Sequence, residues 1–187
     1  MIRKVLLPVL VLILALGVSF PATAENAGFP TGDWAFNYAP EESVLLLRED
    51  GTAVLKGQDY TWTDDGEFLT LTEENGETVS LRYLATEKKT LLYFPTEYVR
   101  AEDVPGFGLI GAWKGKESEG STFIFRSDKM FLEDGTFTGT FRMDPEAGTL
   151  LLVYIKYFED TLCYFRLDND ILTVDYPWPM VERQATP

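Results

Sequence analysis

Gly32-Asp33-Trp34 opens one stretch of this chain, and Gly111-Ala112-Trp113 opens a second with the same order of features behind it. Each opening leads to an apolar run that ends in Arg-x-Asp, at Arg48-Glu49-Asp50 and again at Arg126-Ser127-Asp128. Each copy then carries a second apolar run, Leu69-Thr70-Leu71 and Leu150-Leu151-Leu152. An arginine beside an aromatic follows in both, at Leu81-Arg82-Tyr83-Leu84 and Tyr164-Phe165-Arg166-Leu167. Both end on an arginine after a valine, Val99-Arg100 and Val181-Glu182-Arg183. A repeat of this size makes each copy one structural unit and asks recurring apolar positions to pack alike. It divides the chain into copies at 31–101 and 111–184, with the Pro105-, Gly106- and Gly108-bearing segment 102–110 as linker.

Both copies read as short strands separated by turns. Asp50-Gly51, Asp65-Gly66, Asn75-Gly76, Asp134-Gly135, Ala147-Gly148 and Asp168-Asn169 are turn signals; the Asp-Gly and Asn-Gly pairs suit a type I′ hairpin, whose two central residues need positive φ. Between them lie runs rich in Thr, Val, Phe, Tyr and Leu, suited to a pleated surface. Phe137, Phe141 and Met143 fall on one face of an alternating run, with Gly139 between them marking a bend. The run from Ser43 to Glu49 could be taken for helix, but its counterpart Ser121-Thr122-Phe123-Ile124-Phe125 is β-branched and aromatic, so both are strands. The expected fold is all-β, an antiparallel meander of two tandem small barrel-like repeats. Whether each copy closes on itself or the two join into one larger sheet stays open at this level.

The N-terminus reads as an export signal. Arg3 and Lys4 precede an apolar run, Val5 to Phe20, and Ala22-Thr23-Ala24 is a small-x-small site, so cleavage is expected after Ala24, leaving no membrane span. The chain is acidic, with a formal net charge of −14 that becomes more negative once Arg3 and Lys4 are lost. Such a surface repels phosphate backbones, which argues against nucleic acid as a partner. There is no histidine and a single cysteine, Cys163, set between apolar neighbours. That composition removes His-based nucleophile activation, the usual transition-metal sites and any disulfide within the chain. Calcium would have to use the acids around Asp64, Asp65 and Glu67, or Glu133 and Asp134, neither of which has EF-hand spacing. No metal and no cofactor is expected.

The Gly-x-Trp opening, the strand and Arg-x-Asp turn behind it, and the chain of short hairpins resemble the small lipocalin-like repeat domains of secreted bacterial proteins. The resemblance covers both copies, nearly the whole chain after Ala24. It implies an antiparallel barrel-like fold with the tryptophan near the closed end and an arginine from the last strand packed over it. Trp34 and Trp113 with Arg100 and Arg183 would then be structural. The second copy departs from the pattern at Lys129, where the first has Gly51, which puts that turn's geometry in question.

The richest aromatic stretch is Tyr154, Tyr157, Phe158, Tyr164, Phe165, Tyr176 and Trp178. It is either the core of the second half or a ligand-binding face, with Tyr154, Tyr157, Tyr164, Tyr176 and Trp178 as candidate contacts. The function expected is a secreted, non-catalytic binding module for a small molecule, a peptide or an envelope protein. A structural or inhibitory protein acting through exposed strand edges is a different reading. A hydrolase would need two carboxylates converging in a cleft, one of them desolvated.

Overall fold

The computed structural model describes residues 28–101, 106–117 and 121–183; the expected export signal at 1–24 and residues 102–105 of the linker lie outside them. The described chain is all-β, an antiparallel meander without helix. Residues 31–101, the expected first copy, supply β1 (Gly32–Phe36), β2 (Leu45–Leu47), β3 (Thr52–Leu55), β4 (Gln58–Asp64), β5 (Phe68–Thr72), β6 (Thr78–Ala85) and β7 (Thr90–Arg100). Residues 111–184, the expected second copy, supply β8 (Gly111–Gly115), β9 (Thr122–Phe125), β10 (Met130–Glu133), β11 (Phe137–Asp144), β12 (Thr149–Tyr154), β13 (Thr161–Asp168) and β14 (Ile171–Glu182). The Ser43–Glu49 run is strand in its centre, as its counterpart indicates.

The last strand of each copy is the longest, 11 residues in β7 and 12 in β14, and the two pair with each other from Thr90↔Met180 to Val99↔Ile171. The beginning of β7 also pairs with β6, and its end with β8. The beginning of β14 pairs with β13, and its end with β1. Two closed circuits result. One runs β1 to β6, the start of β7 and the end of β14; the other runs β8 to β13, the start of β14 and the end of β7. Neither copy closes alone, because each circuit is completed by the other copy's final strand.

The prolines of these strands show how the exchange is tolerated. A proline has no N–H to give a ladder, so it needs a side without a partner. Pro95 lies between the end of the β6 pairing at Leu92 and the start of the β8 pairing at Tyr98. Pro177 and Pro179 lie between the end of the β13 pairing at Asp175 and the start of the β1 pairing at Met180. All three sit where the strand has changed neighbours.

Two apolar cores follow the circuits and not the division of the chain at 31–101 and 111–184. The first holds Trp34, Leu45, Leu69, Leu81 and Leu92, with Met180 from the second copy. The second holds Trp113, Phe125, Phe141, Leu152 and Cys163, with Tyr98 from the first. Cys163 is fully buried, and burial pushes its thiol well above the ordinary range.

The turns refine the sequence reading. Both central residues have positive φ at Asp134-Gly135 and at Lys56-Gly57, the same hairpin in each copy; at Asp65-Gly66 and Asn75-Gly76 only the glycine does. Lys129 adopts φ 68 where Gly51 has φ 82, and each N–H donates to the carbonyl of the preceding Arg126 or Arg48. The turn is therefore kept, with a lysine held in a conformation that suits glycine. Lys129→Gly is expected to raise stability by about 1 kcal/mol, since the left-handed region costs an L-residue that much. A denaturant midpoint that does not rise would refute this.

Candidate functional site

Each opening tryptophan is buried and held in the same way. The Trp34 indole N–H donates to Pro30 O at 3.0 Å, and that of Trp113 to Leu109 O at 2.8 Å. The arginines differ. Arg100 pairs across from Trp113, its guanidinium carbon 4.2 Å from the ring centroid. Its nitrogens also donate to Ile110 O, Gly108 O and Asp170. A side chain at Gly111 or Gly106 would run into that guanidinium, so these two glycines make room for it. Opposite Trp34, however, stands Glu182. Arg183, one residue out of step, faces the other way and bonds Asp33 at 2.5 Å; no stacking of Arg183 on Trp34 occurs among the described residues. The two endings differ by this one residue, since Arg100 follows Val99 directly whereas Glu182 stands between Val181 and Arg183. The match between Arg82 and Arg166 also fails on register. Leu81 pairs with Leu69 and Cys163 with Leu150, so Arg82 corresponds to Tyr164, and Arg166 to Leu84.

The interiors of both circuits are filled by the buried apolar side chains, leaving the open surface and the junction of the circuits. One open depression of about 630 Å3 lies beside Leu109, Met143, Gly148 and Phe165. It is solvent-facing and carries no concentration of polar groups. Met143, on the same face of its strand as Phe141, is 40% exposed there, because β11 runs past the edge of the core.

At the junction the aromatic residues form a continuous band on the inner face of the sheet. Tyr38 stacks on Phe36 at 5.3 Å, and Phe36 meets Phe94 and Trp178 at 5.6 and 5.4 Å. Trp178 meets Tyr176 at 5.8 Å. The Tyr176 hydroxyl is 3.0 Å from that of Tyr154. Tyr154 then touches Phe158 at 5.2 Å, and Phe137 joins Phe158 to Tyr157. Tyr154 is buried; Tyr38, Tyr157 and Phe158 are exposed, and the others are half-buried. Of the residues singled out from the sequence, Tyr154, Tyr157, Tyr176 and Trp178 meet here.

Tyr164 does not. It lies on the outer face with Tyr93, 5.4 Å away, and Arg82, whose guanidinium sits 4.0 Å from its ring and also pairs with Glu67. Phe36, Tyr38, Phe94 and Phe137 belong to the band but do not stand out in the sequence. The first three come from the other copy, and no spacing links them to Trp178.

Two half-buried carboxylates flank β14 on opposite faces. Glu133, on the inner face, accepts a hydrogen bond from the Tyr154 hydroxyl at 2.5 Å. Burial raises its pKa, the tyrosine bond partly offsets this, and the charge of Asp134 adds to it. Burial also pushes the Tyr176 hydroxyl up to about 12. Asp175, on the outer face, has its Oδ2 3.3 Å from Arg166, and its buried Oδ1 has no hydrogen-bond partner. Burial raises this carboxyl too, against the opposing pull of Arg166 and Arg82. These two acids do not converge on one cleft.

A folded-state pKa above the unfolded value means that the protonated form is the favoured one. The stability it contributes is present below the ordinary carboxylate range and is lost as pH rises through the raised value. Ionised Asp175 is then a cost at neutral pH. Asp175→Asn is expected to melt higher than the parent at about pH 7, with the difference vanishing near pH 3. A lower melting point at neutral pH would show that the Arg166 pair outweighs the burial.

The acids considered for calcium are engaged within the chain. Asp64 accepts from the Phe29 and Gly66 N–H groups and from the Tyr83 hydroxyl. Asp65 accepts from the N–H groups of Glu67 and Phe68, and Asp134 from that of Thr122. Among the described residues no group of three or more ligating side chains is placed to hold a metal ion. No protein-family model, curated protein or solved structure matches this chain.

Proposed function

We propose that this protein is an exported, non-catalytic binding module built from two lipocalin-like, barrel-like repeats, and that it takes an extended amphipathic ligand on the aromatic band between them. The carrying observation is the band itself: nine aromatic side chains in unbroken contact across the junction, most of them partly open to solvent. An apolar surface of this kind on a highly charged protein is where a partner gains most from burial. Export is supported by the Arg3-Lys4, Val5–Phe20 and Ala22-Thr23-Ala24 sequence. The repeat reading is supported by the paired indole-to-carbonyl bonds and the two closed circuits.

A ligand inside either circuit, as a hollow lipocalin would hold it, finds no room among the buried side chains. Docking through a free strand edge has little to support it, since every described strand is paired on both sides along at least part of its length. Hydrolysis by a carboxylate pair has less, because Glu133 and Asp175 occupy opposite faces.

Isothermal titration of peptides and oligosaccharides against the chain after Ala24, and against its Tyr157→Ala/Trp178→Ala variant, tests the reading. Any ligand of the parent is expected to lose at least about tenfold in affinity on the variant. A ligand held equally by both would overturn the assignment of the band.

A further inference from the structure

The band is not uniformly apolar. Near its second-copy end stands Glu133, half-buried and on the inner face at the mouth of the second circuit. One carboxylate oxygen accepts from Tyr154, which in turn touches the hydroxyl of Tyr176. The rings of Phe131 and Phe158 stand edge-on to Tyr154 at 5.1 and 5.2 Å. No basic side chain forms an ion pair with Glu133 among the described residues, whereas Asp175, also half-buried, has Arg166 and Arg82 beside it. A carboxylate drawn out of water and walled by aromatic rings, without a counter-charge of its own, is suited to a cation: the carboxylate supplies the charge and the ring faces supply cation–π attraction.

We propose that Glu133 anchors the side-chain ammonium of a lysine in an extended amphipathic peptide laid along the band. This rests on the band being the binding surface. A compact ammonium ion would cover one or two rings. A band reaching from Tyr38 to Tyr157 across both circuits calls for an extended occupant, and in a peptide alternate residues can meet the apolar rings and the acid. The net charge of −14 favours a cationic partner at longer range. At the other end Lys56 lies 4.8 Å from the centroid of Phe94, so the cation-accepting position is confined to the Glu133 end.

The probe is a blocked hexapeptide of alternating lysine and leucine, compared with its glutamine/leucine counterpart, titrated calorimetrically into the chain after Ala24. The lysine peptide should bind at least about tenfold more tightly than the glutamine peptide. Glu133→Gln should remove that preference while leaving the glutamine peptide's affinity unchanged. Glu133→Asp, which keeps the charge but withdraws it, should fall between the two and serves if the amide variant does not fold. Raising salt from about 0.05 to about 0.5 M should weaken only the lysine peptide. Equal lysine binding by the parent and a folded Glu133→Gln overturns the anchor; if Trp178→Ala still weakens both peptides, the band reading survives it. Failure of the parent to bind the lysine peptide also overturns the anchor. The wider ligand panel then decides the band separately.

Discussion

A chain that stops at Ala101 is expected to remain unfolded, even though it contains the whole of the expected first copy. Its circuit would lack the end of β14, which stands between β1 and β7 through the pairs Trp34↔Glu182, Phe36↔Met180 and Thr90↔Met180. Two strand edges would be left open, and the first core would lose Met180, which is 6% exposed, together with the packing of Trp178. Removing one buried side chain of this size costs about 2–5 kcal/mol. A domain of this length has roughly 5–15 kcal/mol in all and buries a modest share of its surface. The second copy alone should fail for the matching reason, since Tyr98 and the end of β7 complete its circuit. Circular dichroism on 25–101 and 106–187, alone and mixed, is the measurement. Cooperative melting of either piece by itself would mean that a copy can close without its neighbour. Recovery of the transition only on mixing would support the exchange of final strands.

The sequence carries the all-β character and the turns, because these are local. Alternation places Leu69 and Leu71 inward, and the comparison of Ser43–Glu49 with 121–125 settles strand against helix where propensity alone is ambiguous. The exchange of β7 and β14 is not local. Ten residues of one strand meet ten of the other across a separation no hairpin spans, and nothing in either run names its partner. The faint trace is Pro95, Pro177 and Pro179, which lie where each strand changes neighbours. The candidate site is legible only by half for the same reason. Tyr154, Tyr157, Tyr176 and Trp178 lie close in sequence, but the rings that extend them, Phe36, Tyr38 and Phe94, arrive from the other copy through that exchange. Tyr164 is excluded by strand parity: on β13 it alternates with the buried Cys163 and so faces outward.

Gly139→Ala is expected to cost about 3 kcal/mol, a large effect for one methyl group. Gly139 is buried in β11 between Phe131 of β10 and Tyr154 of β12. A Cβ there would overlap the carbonyl oxygen of Val153 and stand 2.5 and 2.9 Å from two carbons of the Phe131 ring. That ring cannot withdraw, being 1% exposed and packed against Phe123, Phe125 and Tyr154. The glycine therefore provides space for the Val153 carbonyl and for the Phe131 ring beside it, whatever bend accompanies it. The first copy solves the same problem the other way round. At the matching register Ala53 of β3 faces Tyr60 of β4, so the small residue and the ring have changed strands. Phe131→Ala alone should cost about 3–5 kcal/mol by leaving a cavity. Gly139→Tyr alone meets both obstacles, and the double change Phe131→Ala/Gly139→Tyr removes only the ring, so it should cost less than Phe131→Ala and Gly139→Tyr together, with a coupling of about 1 kcal/mol. Denaturant melts of Phe131→Ala, Gly139→Tyr, the double variant and the parent measure this directly. Additive losses would mean that the Val153 carbonyl, and not the Phe131 ring, is what forbids a side chain at this position.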